Sequence, residues 1–479
     1  MLFNSLEFAL FLPIVFALYW LMSGKLKLQN LFVVVASYVF YGWWNWRFLL
    51  LIAFTTLCSW ASGLLIERQV VKGKKTRWVS VANIAVNLTV LCVFKYYNFF
   101  VTSFADAFLG GNTHGMLLNV VLPVGISFYT FQALSYTIDV YKGKLTPTHD
   151  IVQFFAYVSF FPQLVAGPIE RATNLLPQFS RQRVFCYADA VDGCRQILWG
   201  LFKKVVVADN CSVVVDSIFN TYTSQPASML WVGALFFSFQ IYGDFSGYSD
   251  IAIGTAKLFG IKLMRNFKTP YFSRDIAEFW RCWHISLTTW FRDYLYIPLG
   301  GNRVPAVKVV RNTFVIFLVS GFWHGANWTF IVWGAFHALL FLPLILLGRN
   351  RKHLGVVAEN GMLPNIRELL QMLFTFLLTT MGWVIFRSEN IRQAFSYLKS
   401  MFADGMWHFP VDFFTYPETW VAYFVVVMLA VEWLNRKRAH GLDLPIASRT
   451  IRWMIYLVLS ISIFAFKYNV CTPFVYFQF

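Results

Sequence analysis

The segment Ser320-Gly-Phe-Trp-His324-Gly-Ala-Asn-Trp328 lies inside an otherwise apolar run from Thr313 to Leu342. Burial favours the uncharged imidazole, so a buried His324 has the chemistry of a general base toward a hydroxyl. Gly321 and Gly325, one helical turn apart, remove side chains beside it and let a helix or a ligand approach the backbone. A core histidine bridging two helices would account for the same residue, but ionisable groups at membrane depth are costly and tend to be functional. His337 falls on another face if the run is one continuous helix, and is read as structural.

A second histidine lies upstream, in Glu278-Phe-Trp-Arg-Cys-Trp-His284-Ile-Ser-Leu-Thr-Thr-Trp-Phe-Arg-Asp-Tyr294. At helical spacing Arg281, His284, Thr288 and Arg292 form a polar stripe beside an aromatic one of Trp280, Trp283, Leu287, Trp290 and Tyr294. That pattern predicts one interfacial helix with its aromatics at headgroup level, presenting His284 and two arginines to a polar space. Anchoring alone would explain the aromatics, so the His and Arg stripe carries the functional signal.

Tyr242-Gly-Asp-Phe-Ser-Gly-Tyr-Ser-Asp250 sets Asp244, Ser246, Tyr248 and Asp250 in the apolar run from Leu230 to Phe259. Two carboxylates there need partners, which Arg281 or Arg292 could supply through charge-assisted hydrogen bonds. Structural pairing and substrate contact are both open. The spacing lacks the glycine and terminal glutamate of a calcium loop, so no metal is expected. Around the two histidines, Arg281, Trp323, Asn327, Asp244, Tyr248 and Asp250 are the candidates for substrate contact. Phe161-Pro-Gln-Leu-Val-Ala-Gly-Pro-Ile-Glu-Arg171 suits a broken or re-entrant helix.

These residues must be held by a membrane domain. The chain is 58% hydrophobic, 19% aromatic and 13% charged over 479 positions, with about half the charged share of a soluble domain. Apolar runs span Leu6 to Met22, Phe48 to Ile66, Trp78 to Val101, Leu370 to Ile385, Trp420 to Trp433 and Met454 to Phe466. With less clean runs such as Leu31 to Trp44, about ten or eleven spans are expected for a hydrocarbon core of roughly 30 Å. The first run has Glu7 in place of a basic n-region and no small-residue cleavage site after Met22, so it reads as a span rather than a signal peptide.

Basic loops orient the chain. Lys25 and Lys27, the cluster from Arg68 to Arg77, and Arg436 to Arg438 are placed in the cytoplasm and the N-terminus outside. The formal net charge of +17 is scattered over loops, which suits anionic lipid rather than nucleic acid. The 7 cysteines have no C-x-x-C spacing and indicate neither a disulfide framework nor a zinc site. No repeat or linker divides the chain, so one all-α membrane domain is expected. It has N-terminal spans at 1–119, a catalytic core at 120–345 where polar residues punctuate the apolar runs, and C-terminal spans at 346–479.

Trp323-His324-Gly325, preceded by Arg281-Cys-Trp-His284-Ile-Ser, resembles the membrane-bound O-acyltransferase family. Its bacterial alginate O-acetyltransferase branch is matched further by Met1-Leu-Phe-Asn-Ser5, Tyr38-Val-Phe-Tyr-Gly-Trp43, Pro123-Val-Gly-Ile-Ser-Phe-Tyr129, Tyr294-Leu-Tyr-Ile-Pro-Leu-Gly-Gly-Asn-Arg303 and Phe474-Val-Tyr-Phe-Gln-Phe479. The resemblance covers nearly the whole chain. It implies a ring of tilted helices around a central tunnel, with re-entrant or interfacial helices and His324 at the waist, in the bacterial cytoplasmic membrane. It also implies acyl transfer from a cytoplasmic thioester, acetyl-CoA in this branch, with no tightly bound cofactor. His324 would deprotonate the acceptor, Arg281 or nearby amides would stabilise the oxyanion, and His284 would orient substrate or move protons. The acceptor would be an exported polysaccharide or a separate exported transferase of the SGNH-hydrolase type. One departure stands out: the branch usually has a second arginine where this chain has Cys282.

Two other readings compete. D-alanyl transfer to a cell-wall polymer lies within the same family. A glycan or lipid transporter lies outside it, but no second copy of any motif marks the paired halves common in transporters.

Overall fold

The computed structural model describes residues 1–113, 115–446, 448–467 and 474, so Cys471 and all but the first residue of the C-terminal motif at 474–479 lie outside the described residues. Every regular element among the described residues is helical. Five helices are long and apolar enough to cross a membrane, Arg47–Val71, Arg77–Phe108, Ala306–His324, Trp328–Leu346 and Ile366–Arg387, and Leu6–Leu21 and Leu26–Gly42 are shorter apolar helices. Helices satisfy their backbone groups internally, as hydrocarbon requires. The protein is an all-α, multi-pass membrane protein.

Its contacts form two compact units, Met1–Cys194 with Ala252–Met264, and Arg195–Ile251 with Arg265–Phe479. The first contains α1 (Leu6–Leu21), α2 (Leu26–Gly42), α3 (Arg47–Val71), α4 (Arg77–Leu91), α5 (Tyr97–Phe108), α6 (Ile126–Tyr141), α7 (Ile151–Ser159), α8 (Phe161–Leu164), α9 (Ala172–Phe179) and the start of α10 (Tyr187–Leu201). Its helices are joined by polar residues as well as by packing. Asn83 on α4 donates to Thr137 on α6 at 2.7 Å, and Ser62 on α3 lies 3.3 Å from the same hydroxyl. Such bonds act as glue where water is absent. The broken helix expected at 161–171 is present: α8 is a single turn, and Glu170 beyond it is buried and accepts from the Met264 and Asn174 nitrogens.

The second unit holds the end of α10, a π-helical stretch Phe202–Ala208, α11 (Asp209–Asn220), most of α12 (Ala227–Leu258), α13 (Ile276–Cys282), α14 (Ile285–Phe291), α15 (Ala306–His324), α16 (Trp328–Leu346), α17 (Ile366–Arg387), α18 (Ile391–Met401), α19 (Val421–Leu434) and α20 (Arg449–Ala465). The run from Thr313 to Leu342 is not one helix. It breaks at Gly325–Asn327, where the Asn327 side chain accepts from the Thr329 amide at 3.0 Å and caps α16. α15 and α16 therefore form a hairpin. A Cβ on Gly321 would run into the Phe330 carbonyl, and one on Gly334 into that of Phe317. The close approach expected of Gly321 is thus made by α16, while Gly325 makes room for the Phe330 ring.

The segment 278–294 also departs from expectation. α13 ends at Cys282 and α14 starts at Ile285, with His284 between them in the left-handed region (φ 42°). No continuous stripe exists, and Trp280, Trp283 and Trp290 are buried rather than lying at a membrane surface. The reason is tertiary: the Asn266 carbonyl accepts from the Ile285 amide at 2.9 Å and the Lys268 amide donates to the Cys282 carbonyl at 3.0 Å, so the strand of chain at 266–268 holds the turn open.

Candidate active site

His324, the last residue of α15, is buried in a shell of rings from its own hairpin and from α17. Its imidazole centroid lies 5.0 Å from that of Trp323, 5.1 Å from Trp333 and 5.5 Å from Phe386, each edge-on. α17 is set in place from its first turn, where Asn365 and Glu368 form a capping box, each such cap contributing about 1 kcal/mol. Trp333 also lies 5.0 Å from His337, which brings that histidine to the same cluster although it stands on the return helix of the hairpin.

His284 reaches the cluster from a different element, the turn before α14. Its ring is 5.8 Å from Trp323 and 4.6 Å from Phe245 of α12. Its Nδ1 accepts from the Leu287 amide at 3.4 Å, capping α14, so the neutral ring carries its proton on Nε2. That Nε2 is buried and meets no hydrogen-bond partner among the described residues. His284 is therefore built as a donor. A left-handed non-glycine residue costs about 1–3 kcal/mol, a strain tolerated where surroundings over-determine it. Here Asn266 does so, accepting from the Ser286 hydroxyl at 2.5 Å and donating to Ser249 at 3.1 Å.

The same shell holds other unused polar atoms. Among the described residues the indole nitrogens of Trp280, Trp283, Trp333 and Trp383, and both nitrogens of His337, are buried without a hydrogen-bond partner. Buried polar groups in proteins are rarely left so, and a set of them around two histidines is what a polar substrate can use. No group of three or more His, Cys, Asp or Glu side chains among the described residues is placed to hold a metal ion.

The remaining candidates are placed differently. Asn327 caps α16 and donates to the Glu389 carbonyl at 2.7 Å. The Arg281 guanidinium donates to the carbonyls of Asn350 and His353, each at 2.7 Å. It shares that loop with Arg274, which bonds the Gly355 carbonyl at 2.8 Å, and with Arg436, which bonds those of Val357, Ala358 and Gly361. Partial burial, with Arg274 close by, holds the His353 imidazole below its ordinary value. Beneath the loop lies a cavity of about 380 Å³, lined by Arg274, Lys352, His353, Glu359, Asn365 and Glu368 among others.

Asp244 and Asp250 pair neither with Arg281 nor with Arg292, whose Nε bonds Asp293 at 2.7 Å. Asp250 meets Lys203 at 2.6 Å and Gln196 at 2.7 Å, and Asp244 meets Lys204 at 2.7 Å. Lys204 also bonds Asp209, and Glu432 on α19 takes the Tyr242 hydroxyl at 2.7 Å with Lys203 3.7 Å away. A mutual glycine contact brings these groups together: a Cβ on Gly200 would meet the Gly247 carbonyl at 2.5 Å, and one on Gly247 the Gly200 carbonyl at 2.7 Å. Tyr248 packs against Phe474. Sequence reasoning passed over Lys203 and Lys204, although two adjacent lysines in an apolar stretch were a visible signal. It also passed over Asn266, Trp333, Trp383 and Phe386, which carry none.

Against known proteins, residues 145–381 match the model of the MBOAT, membrane-bound O-acyltransferase family. The chain is 43% identical over 410 residues to the "Probable alginate O-acetylase AlgI" of Pseudomonas aeruginosa, covering 85% of this chain and 76% of that protein. It is 36% identical over 431 residues to the peptidoglycan O-acetyltransferase of Helicobacter pylori (84% and 80%) and 27% identical over 289 residues to the teichoic acid D-alanyltransferase of Bacillus subtilis (57% and 70%).

Proposed function

This chain belongs to the membrane-bound O-acyltransferase family and is an O-acyltransferase, and on that premise we propose that it carries an acetyl group from cytoplasmic acetyl-CoA to a hydroxyl on the outer face of a bacterial cytoplasmic membrane. The acceptor is an exported polysaccharide or a separate exported transferase of the SGNH-hydrolase type. What supports acetyl over D-alanyl is the greater likeness to the O-acetylating relatives. The N-terminus lies outside, because the basic loops that carry Lys25, Lys72, Arg349 and Arg436 are then cytoplasmic by the positive-inside rule. On that side the cavity under the 349–365 loop, with Lys352 at its wall, suits the approach of an anionic donor.

In the reaction the acceptor oxygen attacks the thioester carbonyl carbon as His324 takes its proton, and collapse of the tetrahedral intermediate breaks the C–S bond and returns that proton to the departing thiolate. His284, a donor through Nε2, stabilises the oxyanion, the task first expected of Arg281. Asp244 and Asp250 act at a distance, by fixing α12 against the π-helical stretch. The observation that carries this reading is the meeting of His284 and His324 at the one indole of Trp323.

The test is transfer of labelled acetyl from acetyl-CoA in membranes holding the protein with its exported partner and acceptor, comparing wild type with His324→Ala at matched folded levels. Loss of transfer in the variant is expected. Equal transfer by both would remove His324 from the chemistry.

A further inference from the structure

A second cavity, of about 580 Å³, is used by no step above. Its walls include Asn220, Tyr222, Glu389, Arg392, Gln393 and Ser396, from the end of α11, the turn after α17, and α18. It adjoins the active site: Phe386 touches His324, and just beyond it Glu389 accepts from Asn327, in the loop that follows His324. α15 and α17 begin at the basic ends that carry Lys308, Arg311 and Arg367, and this cavity sits where they finish. In the orientation proposed above, that is the outer face.

The cavity has a flat aromatic floor in a polar frame. Tyr222 stacks on Tyr397 (5.9 Å, 29°), which stacks on Phe219 (4.5 Å, 20°). The stack is fixed from behind, since the Tyr397 hydroxyl donates to the Leu230 carbonyl at 2.9 Å and Arg387 lies over Phe219 while pairing with Asp216 at 2.7 Å. Around Tyr222 stand three amides, a hydroxyl, a carboxylate and Arg392, an exposed cation with no ion pair among the described residues. A lipid chain would need an apolar lining, and a folded protein partner a far larger face. A sugar ring matches what is here. Its C–H face packs on a fixed phenol ring, its hydroxyls pair with amides and carboxylate, and a guanidinium binds a carboxylate through two charge-assisted bonds.

We infer that this cavity is a binding site for a carboxylate-bearing segment of the acceptor glycan, with Tyr222 as the stacking platform and Arg392 as the charge partner. The inference rests on the acyl-transfer reading for its orientation and for the identity of the ligand as acceptor.

The experiment measures equilibrium binding of hexamannuronate and of neutral cellohexaose to the full chain in nanodiscs, together with acetyl transfer in the same preparations. Saturable binding of hexamannuronate in preference to cellohexaose is expected. Tyr222→Ala should weaken it at least tenfold, Tyr222→Phe less than about threefold, and Arg392→Gln about fivefold with loss of the preference. The KM for the glycan should follow the binding constants while kcat changes little. Failure of wild type to bind either probe saturably, or binding indifferent to Tyr222→Ala and Arg392→Gln, overturns the site. The two readings fail separately: if His324→Ala transfers like wild type the acyl-transfer mechanism falls whatever the binding, and if transfer depends on His324 while Tyr222→Ala leaves the glycan KM unchanged, only the cavity assignment falls.

Discussion

His284 and His324 share one indole. Trp323 stands edge-on to both imidazoles, at 5.8 Å and 79° from the first and 5.0 Å and 81° from the second. The two histidines come from elements with opposite characters. His324 ends a long membrane helix, whereas His284 sits in a strained turn and spends its Nδ1 on a helix cap. The cap makes their roles unequal, one ring being fixed as a donor and the other being the candidate base.

Replacing each histidine separates these roles. His324→Ala should lower the rate of acetyl transfer about 10²–10⁴-fold, the usual contribution of a general base. His284→Asn keeps a residue that tolerates the left-handed region and caps a helix. It should fold at wild-type levels, by size-exclusion profile and melting, yet transfer at least tenfold more slowly. Wild-type turnover in His284→Asn would deny the ring its donor role.

The buried Asn266 holds the His284 turn through Ser286, Ser249 and the Ile285 amide. Asn266→Ala leaves buried polar groups unmatched, at about 1–3 kcal/mol. A lower melting midpoint should accompany a fall in kcat larger than any change in donor KM. A destabilised variant with normal kcat would mean the turn is held without it.

Gly321→Ala tests the hairpin. The added methyl meets the Phe330 carbonyl, so α15 and α16 must part. Overpacking of this kind costs about 1–3 kcal/mol. Thermal stability and transfer should fall together, and Gly348→Ala, with open space around its Cβ although φ is +64°, serves as a control for general glycine effects away from the contact.

Lys203 faces Asp250 at 2.6 Å and Glu432 at 3.7 Å with all three side chains largely buried. Lys203→Met leaves two carboxylates without their cation, which costs about 3–5 kcal/mol where a buried pair is broken. Folded yield should collapse. Lys203→Met with Asp250→Asn should recover part of it, and a double variant no better than the single one would show that Asp250 is not the main partner.

The depressed His353 imidazole sets a pH dependence. Below the ordinary imidazole value of about 6.5 the unfolded chain takes up a proton that the folded loop resists, so stability falls as pH drops through that range. The melting midpoint should decline from pH 7 to pH 5, and His353→Gln should flatten the decline. An unchanged slope would assign it to other groups.

Much of this was legible in the sequence because hydrocarbon leaves few choices. The apolar runs starting at Leu6, Phe48, Trp78 and Leu370 gave α1, α3, α4 with α5, and α17. His324 and Gly321 announced themselves by being costly and by being small. The segment 278–294 misled because it contains no glycine or proline to mark a break. Its turn is imposed by Asn266, a contact that no local pattern encodes. The partners of Asp244 and Asp250 were missed for a related reason: Lys203 and Lys204 lie far upstream, and the Gly200 and Gly247 contact that unites them is a property of two helices rather than of either one.

The guanidinium groups of Arg274, Arg281 and Arg436 hold the 349–365 loop through its main-chain oxygens, those of Asn350, His353, Gly355, Val357, Ala358 and Gly361. Every amino acid supplies a carbonyl, so this segment is specified by its length more than by its letters. Most exposed side chains along it are free to drift in evolution or be exchanged by design without loosening the anchors. A deletion or insertion of a single residue between Asn350 and Gly361, by contrast, would shift the acceptors against one another, so that the three arginines could no longer all keep their partners.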